Sequence, residues 1–111
     1  MLHRANRIVA GADYRRVVRR GRRTQGPLTI VHIQKTDVGS PARFGFIVSR
    51  AVGNAVHRNL VRRRLKAVCH SVLSEGVTGV DVVIRALPAS AQADWSSLSG
   101  EVAEAMHRSR P

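Results

Sequence analysis

Side chains able to carry acid–base, nucleophilic or metal chemistry are few in this chain: seven carboxylates, five histidines and one cysteine. The carboxylates, Asp13, Asp37, Glu75, Asp81, Asp94, Glu101 and Glu104, are scattered, with no close pair of the kind that two-metal phosphoryl chemistry needs. Glu101 and Glu104 stand i, i+3, a spacing that a solvated helix surface explains. His3, His32, His57, His70 and His107 show no metal-ligand spacing, and a single cysteine builds no zinc site. No glycine-rich phosphate loop occurs. A catalytic residue and a resident metal are therefore not expected on the protein itself, and the histidines read as ordinary surface or core residues.

What the chain has in excess is positive charge. Nineteen basic against seven acidic residues give a net charge of +12, and 17 of the 19 are arginine. Such a surface points to a nucleic acid or an anionic membrane surface, and arginine favours bidentate phosphate and base-edge contacts. Six of the basic residues fall in Ser49–Leu73, SRAVGNAVHRNLVRRRLKAVCHSVL. Val61, Leu65, Val68, Cys69 and Val72 lay one apolar stripe along a helix, and Asn54 before it is a good N-cap. Asn59, Arg62, Arg63 and Lys66 fall on the other side, with Arg58 at the border. No Asp or Glu occurs between Arg50 and Lys66. A solvated helix face interleaves both signs, whereas a face of one sign repels itself and persists when a polyanion covers it.

The run Gly53-Asn54-Ala55-Val56-His57-Arg58-Asn59-Leu60-Val61-Arg62-Arg63, directly after Ser49-Arg50, resembles the signature segment of the bacterial ribonuclease P protein subunit, G-N-A-V-x-R-N-R-x-[KR]-R. Leu60 stands where the family has the second arginine of its Arg-Asn-Arg, and Ala51 where lysine is common. Asp13-Tyr14-Arg15 with Gly21 after it is similar to the family's opening helix, Val18 replacing a frequent aromatic. The resemblance spans Asp13 to Arg108. It implies a ribonucleoprotein endonuclease that removes the 5′ leader of precursor tRNA, in which a catalytic RNA subunit performs the hydrolysis with Mg2+ bound mainly by the RNA. Carried over to this sequence, Arg50, Asn54, Arg58, Asn59, Arg62, Arg63 and Lys66 meet RNA, and Tyr14, Val18 and His32 line a cleft for the leader. His32 replaces an aromatic common at its place. Arg4 and Arg7 of the N-terminal arm are further RNA-binding candidates, and no protein partner is implied.

Elements to position these residues follow from pattern. Residues 1–11 form an irregular arm packed on the sheet. A helix from about Ala12 to Arg20 turns Tyr14, Val17 and Val18 inward, with Gly21 at its C′ position. Residues 22–25 form a short strand, and Leu28–Ile33 a second after Gly26-Pro27. Residues 37–41 are loop by composition. Arg43–Ser49 reads as a central strand in which Gly45 marks a close approach. Val80–Ala86, apolar enough to be central, follows the basic helix, and Pro88 ends it. A final helix runs from Asp94, its N-cap, to Arg108, with Trp95, Leu98, Val102 and Met106 on a core face.

The fold class is α+β: a single sheet of about four strands in the order α-β-β-β-α-β-α. The family resemblance further implies a left-handed strand–helix–strand crossover, against the usual preference. At 111 residues the chain is one RNA-binding domain with a modest core. No apolar run approaches membrane-spanning length. The charged N-terminus has no apolar segment after it and is no secretory signal, and Cys69 reads as a small buried hydrophobe in a reducing compartment. Both point to the cytoplasm. A second function class, a general RNA-binding or ribosome-associated domain without a processing role, fits the same charge pattern.

Overall fold

The computed structural model describes residues 2–108; Met1, assigned by sequence to the arm, lies outside them. Seven main elements follow in order: α1 (Gly11–Arg20), β1 (Arg22–Gln25), β2 (Thr29–Lys35), β3 (Arg43–Ile47), α2 (Ala55–Ser74), β4 (Val80–Ala86) and α3 (Trp95–Arg108). Short 3-10 turns occupy Arg4–Asn6, Arg50–Val52 and Pro88–Gln92. The expected element order holds, with β2 displaced by one to two residues towards its C-terminal side.

The four strands form one sheet in the order β1-β2-β4-β3. β1 with β2 and β2 with β4 are antiparallel, and β3 with β4 is parallel. A parallel neighbour needs a crossover, and α2 supplies it. β4 is central, as its apolar run requires. β3, read from sequence as central, is an edge strand. It is apolar because both its faces are covered, and the arm runs along its outer side through the Arg7–Phe44 bridge.

Alternation along the strands divides the side chains between two layers. Val31, Ile33, Phe44, Val82, Ile84 and Ala86 face α2 and α3 and build the main core with Val61, Leu65, Val68, Cys69 and Val72 of α2 and Leu98, Val102 and Met106 of α3. Each such buried aliphatic side chain contributes about 1.5–3 kcal/mol relative to an exposed one. A smaller cluster, Ile8, Val17 and Val83 with Tyr14, Val18 and Ile47 against it, holds α1 on the opposite face.

Both expected caps are present: the Asn54 side chain accepts from the His57 amide, and that of Asp94 from the Ser97 amide. Gly21 has an extended backbone, φ −72°, not the left-handed cap expected of a terminal glycine. It is needed for space, since a Cβ there would lie 2.5 Å from the Val17 carbonyl oxygen. Trp95, expected in the core, is 46% exposed. It keeps the helical period of Leu98 and Val102 but sits at the first position of α3, where the core face overhangs its support. Glu101 is not solvated surface: its carboxylate accepts from the Leu28 amide and the Thr29 hydroxyl, 2.5 Å away, and clamps the β1–β2 turn. Glu104 is exposed and pairs with Arg108.

Candidate nucleic-acid interface

The sheet face under α1 can be followed as three rows across the strands. The first holds Arg43, Asp81 and Gln34, the second Gly45, Val83, His32 and Arg23, and the third Ile47, Arg85, Ile30 and Gln25. α1 is fixed over the first. The Arg43 guanidinium grips Asp81 from Nε and Nη2 at 2.9 and 2.7 Å, and Arg16 of α1 reaches the same carboxylate at 2.8 Å and Gln34 at 2.5 Å. Asp13 adds ion pairs to both arginines. Burial pushes the Asp81 carboxyl up, but the hydrogen bonds and charges of Arg43 and Arg16 outweigh it and hold it below the usual range. The same bonds to Asp81 raise both guanidinium pKa values.

Over the second row the Tyr14 ring lies on Gly45, where a Cβ would come within 2.6 Å of it, and the Phe46 amide donates to its hydroxyl at 3.2 Å. This is the close approach that Gly45 signalled. Val18 is half-buried beside the small cluster, and His32 is buried. The third row is left partly open, with Arg85 and Gln25 exposed and Ile30 and Ile47 half-buried. Tyr14, Val18 and His32 thus lie on the side of the sheet that α1 covers. Arg23 and Arg85 on the same side were not singled out by sequence. Their period-2 positions put them on the His32 face, but only the strand register brings them beside it.

The basic residues of α2 lie on the other side of the sheet. Asn59 and Arg63 are exposed and Arg58, Arg62 and Lys66 are half-exposed. Arg62 donates to the Asn59 side chain at 3.3 Å. Arg64 is turned away, bound at 2.8 Å to the Ala93 carbonyl. Asn54 is exposed but spends its side-chain oxygen on the cap. Arg50 is exposed in the 3-10 turn that joins the end of β3 to α2, so it stands where the cleft side passes into the α2 side. Arg4 and Arg7 are exposed on the arm beside β3. Among the described residues every ion pair involves Arg16, Arg43 or Arg108. None neutralises Arg50, Arg58, Arg62, Arg63 or Lys66.

No group of three or more His, Cys, Asp or Glu that could hold a metal occurs among the described residues. Asp13 and Asp81 are taken up by arginines, Glu101 by the β1–β2 turn, and Asp94 by its cap. Cys69 is buried, and burial drives its thiol pKa far up. None of the described helices is long and apolar enough to cross a membrane.

A family model described as Ribonuclease P matches residues 2–110. The chain belongs to the ribonuclease P protein family. Its function is that of a protein subunit of ribonuclease P in tRNA 5′ processing. The ribonuclease P protein component of Clavibacter michiganensis is 50% identical over 108 residues, covering 97% of this chain and 96% of that protein. That of Nocardioides sp. is 40% identical over 110 residues, covering 97% and 94%. The fold is that of the RNase P protein of Staphylococcus aureus, with a TM-score of 0.84 at 20% identity over 96% of this chain and 97% of that one. The RNase P protein of Thermotoga maritima gives 0.82 at 18% identity, covering 95% and 98%.

Proposed function

We propose that this ribonuclease P protein binds the RNA subunit through α2 and the 5′ leader of precursor tRNA in the α1–sheet cleft, while the RNA carries the catalytic groups. The observation that carries the reading is the basic face of α2, which has no carboxylate partner although the fold pairs its acids closely elsewhere. A stable fold tolerates that self-repulsion where a polyanion supplies the counter-charge. Arg50, Asn54, Arg58, Asn59, Arg62, Arg63 and Lys66 are the RNA contacts, with Arg4 and Arg7 beside them on the arm. Tyr14, Val18 and His32 line the leader site. Tyr14 has one ring face against Gly45 and is half-buried, which leaves surface on which an unpaired base can stack.

The residues present do not fit a resident Mg2+: the buried carboxylates are already saturated by cations and amides. In this reading the ion belongs to the RNA, and the protein contributes positioning of substrate. The site of action is the cytoplasm, where precursor tRNA is made. Reconstitution tests it. Protein added to the RNA subunit and precursor tRNA at low magnesium restores 5′ cleavage that RNA alone performs poorly, and protein without RNA yields no 5′ product. Retention of many RNAs without restored cleavage would instead mark a general RNA-binding domain. Site-specific cleavage by the purified protein alone would contradict the division of labour.

A further inference from the structure

Trp95 is the only tryptophan of the chain and the most exposed of its aromatic side chains, at 46%. The first position of α3, after the Asp94 cap, asks only for a helical backbone. Helix formation therefore does not explain a large ring there, and the core does not extend far enough to bury it.

The ring stands at the edge of the basic side of α2. Arg64 of α2 reaches across to α3, its Nη1 donating at 2.8 Å to the carbonyl of Ala93, two residues before Trp95. Further along α2, Val68 and Ser71 line a groove of about 370 Å³ together with Trp95, Ser99 and Gly100 of α3. Small side chains on both walls leave room beside the indole. Glu75 also lines this groove, about three turns of α2 beyond Arg64, so only the Arg64 end suits an anion. No carboxylate among the described residues pairs with Arg64, and its bond to Ala93 uses one of the five donors of a guanidinium. Arg63, the next residue, is exposed.

An aromatic face beside unneutralised guanidiniums is the combination that holds an unpaired nucleotide: the ring stacks on the base and the cation takes the phosphate. A protein docking on Trp95 would bury these guanidiniums and would have to bring carboxylates to meet them. RNA carries the counter-charge on every nucleotide. The proposed leader site lies across the sheet, under α1, so the occupant here is the RNA subunit and not the substrate.

We propose that Trp95 stacks on an unpaired base of the RNA subunit, with Arg64 on the adjoining phosphate, and so extends the α2 interface onto α3. The proposal rests on the reading of α2 as the face that meets the RNA subunit.

Trp95 is its own reporter, since no other tryptophan emits. Saturating the full-length protein with the RNA subunit should quench its emission and shield it from acrylamide, and precursor tRNA added to the preformed holoenzyme should change neither further. Trp95→Ala should weaken RNA-subunit binding by roughly fivefold or more, the lower bound for one stacked base. Its log–log salt slope should stay unchanged, and Trp95→Phe should recover most of the affinity. Arg64→Gln, which can still bond the Ala93 carbonyl, should lower that slope by roughly 1. Wild-type emission and acrylamide access unchanged at saturation overturn the proposal, a result that needs no variant to fold. So do emission that responds only to precursor tRNA, Trp95→Ala affinity equal to wild type, or an unchanged slope in Arg64→Gln. If Arg62→Ala with Arg63→Ala still flattens the salt dependence, only the role of Trp95 and Arg64 falls. If that dependence is also unchanged, the α2 reading falls with it.

Discussion

Replacing Asp81 with asparagine isolates the bond network that holds α1 over the sheet. The side chain is 2% exposed and receives three charge-assisted hydrogen bonds, two from Arg43 and one from Arg16. Asparagine keeps the volume, removes the charge, and turns an amide donor towards a guanidinium. Breaking a buried pair costs about 3–5 kcal/mol. Here the two arginines are 32% and 33% exposed, so they rehydrate in the variant and the figure must be discounted. A loss of about 2–4 kcal/mol is expected, or roughly 8–20 °C in melting temperature for a domain of this size. The pH dependence gives a second handle. The folded-state pKa of Asp81 lies below its ordinary value of 3.8, so its stabilisation is fully present above that value and is lost as pH falls through the folded-state pKa. Thermal melts of both proteins should therefore differ by a constant gap at neutral pH, a gap that narrows on acidification below about pH 4. A gap under roughly 4 °C at neutral pH, or one that persists unchanged into acid, would refute this account of the network.

Three further outcomes follow from particular contacts. Arg62→Ala with Arg63→Ala should leave the melting temperature nearly unchanged and flatten the log–log salt dependence of RNA-subunit binding by roughly 1 per lost phosphate contact; an unchanged slope argues against the α2 face. Gly45→Ala drives a methyl into the Tyr14 ring and should cost about 1–3 kcal/mol by overpacking, with weakened leader binding, as read by melting and substrate titration. Tyr14→Ala should reduce affinity for leader-bearing substrate by about 1–3 kcal/mol and that for leaderless tRNA little, whereas equal losses for both would make Tyr14 a core residue only.

Local signals were legible wherever physics is local. The α2 stripe, its Asn54 cap, the Asp94 cap and the tight approach at Gly45 depend on neighbours within a turn or on the absence of a side chain. The position of β3 was not legible, because apolar content reports cover on both faces and not the number of hydrogen-bonded neighbours. Trp95 misled for a related reason: periodicity fixes direction around a helix axis but not whether the core extends beneath that end. Partners remote in sequence were invisible altogether. Asp81 meets Arg43 and Arg16 across 38 and 65 residues, and Glu101 meets Thr29 across 72, so these carboxylates read as scattered or solvated. For the site, charge sign and helix face marked the residues of α2. The juxtaposition of His32 with Arg23 and Arg85 required the antiparallel register, which strand patterning does not supply.

The most direct measurement of the central claim compares two affinities in one system: the holoenzyme with leader-bearing precursor tRNA, and with the same tRNA lacking its leader, each relative to the RNA subunit alone. Addition of this protein should tighten the leader-bearing substrate by about tenfold or more, the worth of a stacked base with its flanking phosphate contacts, and leave the leaderless tRNA nearly unaffected. Equal tightening of both substrates would contradict a leader site in the α1–sheet cleft.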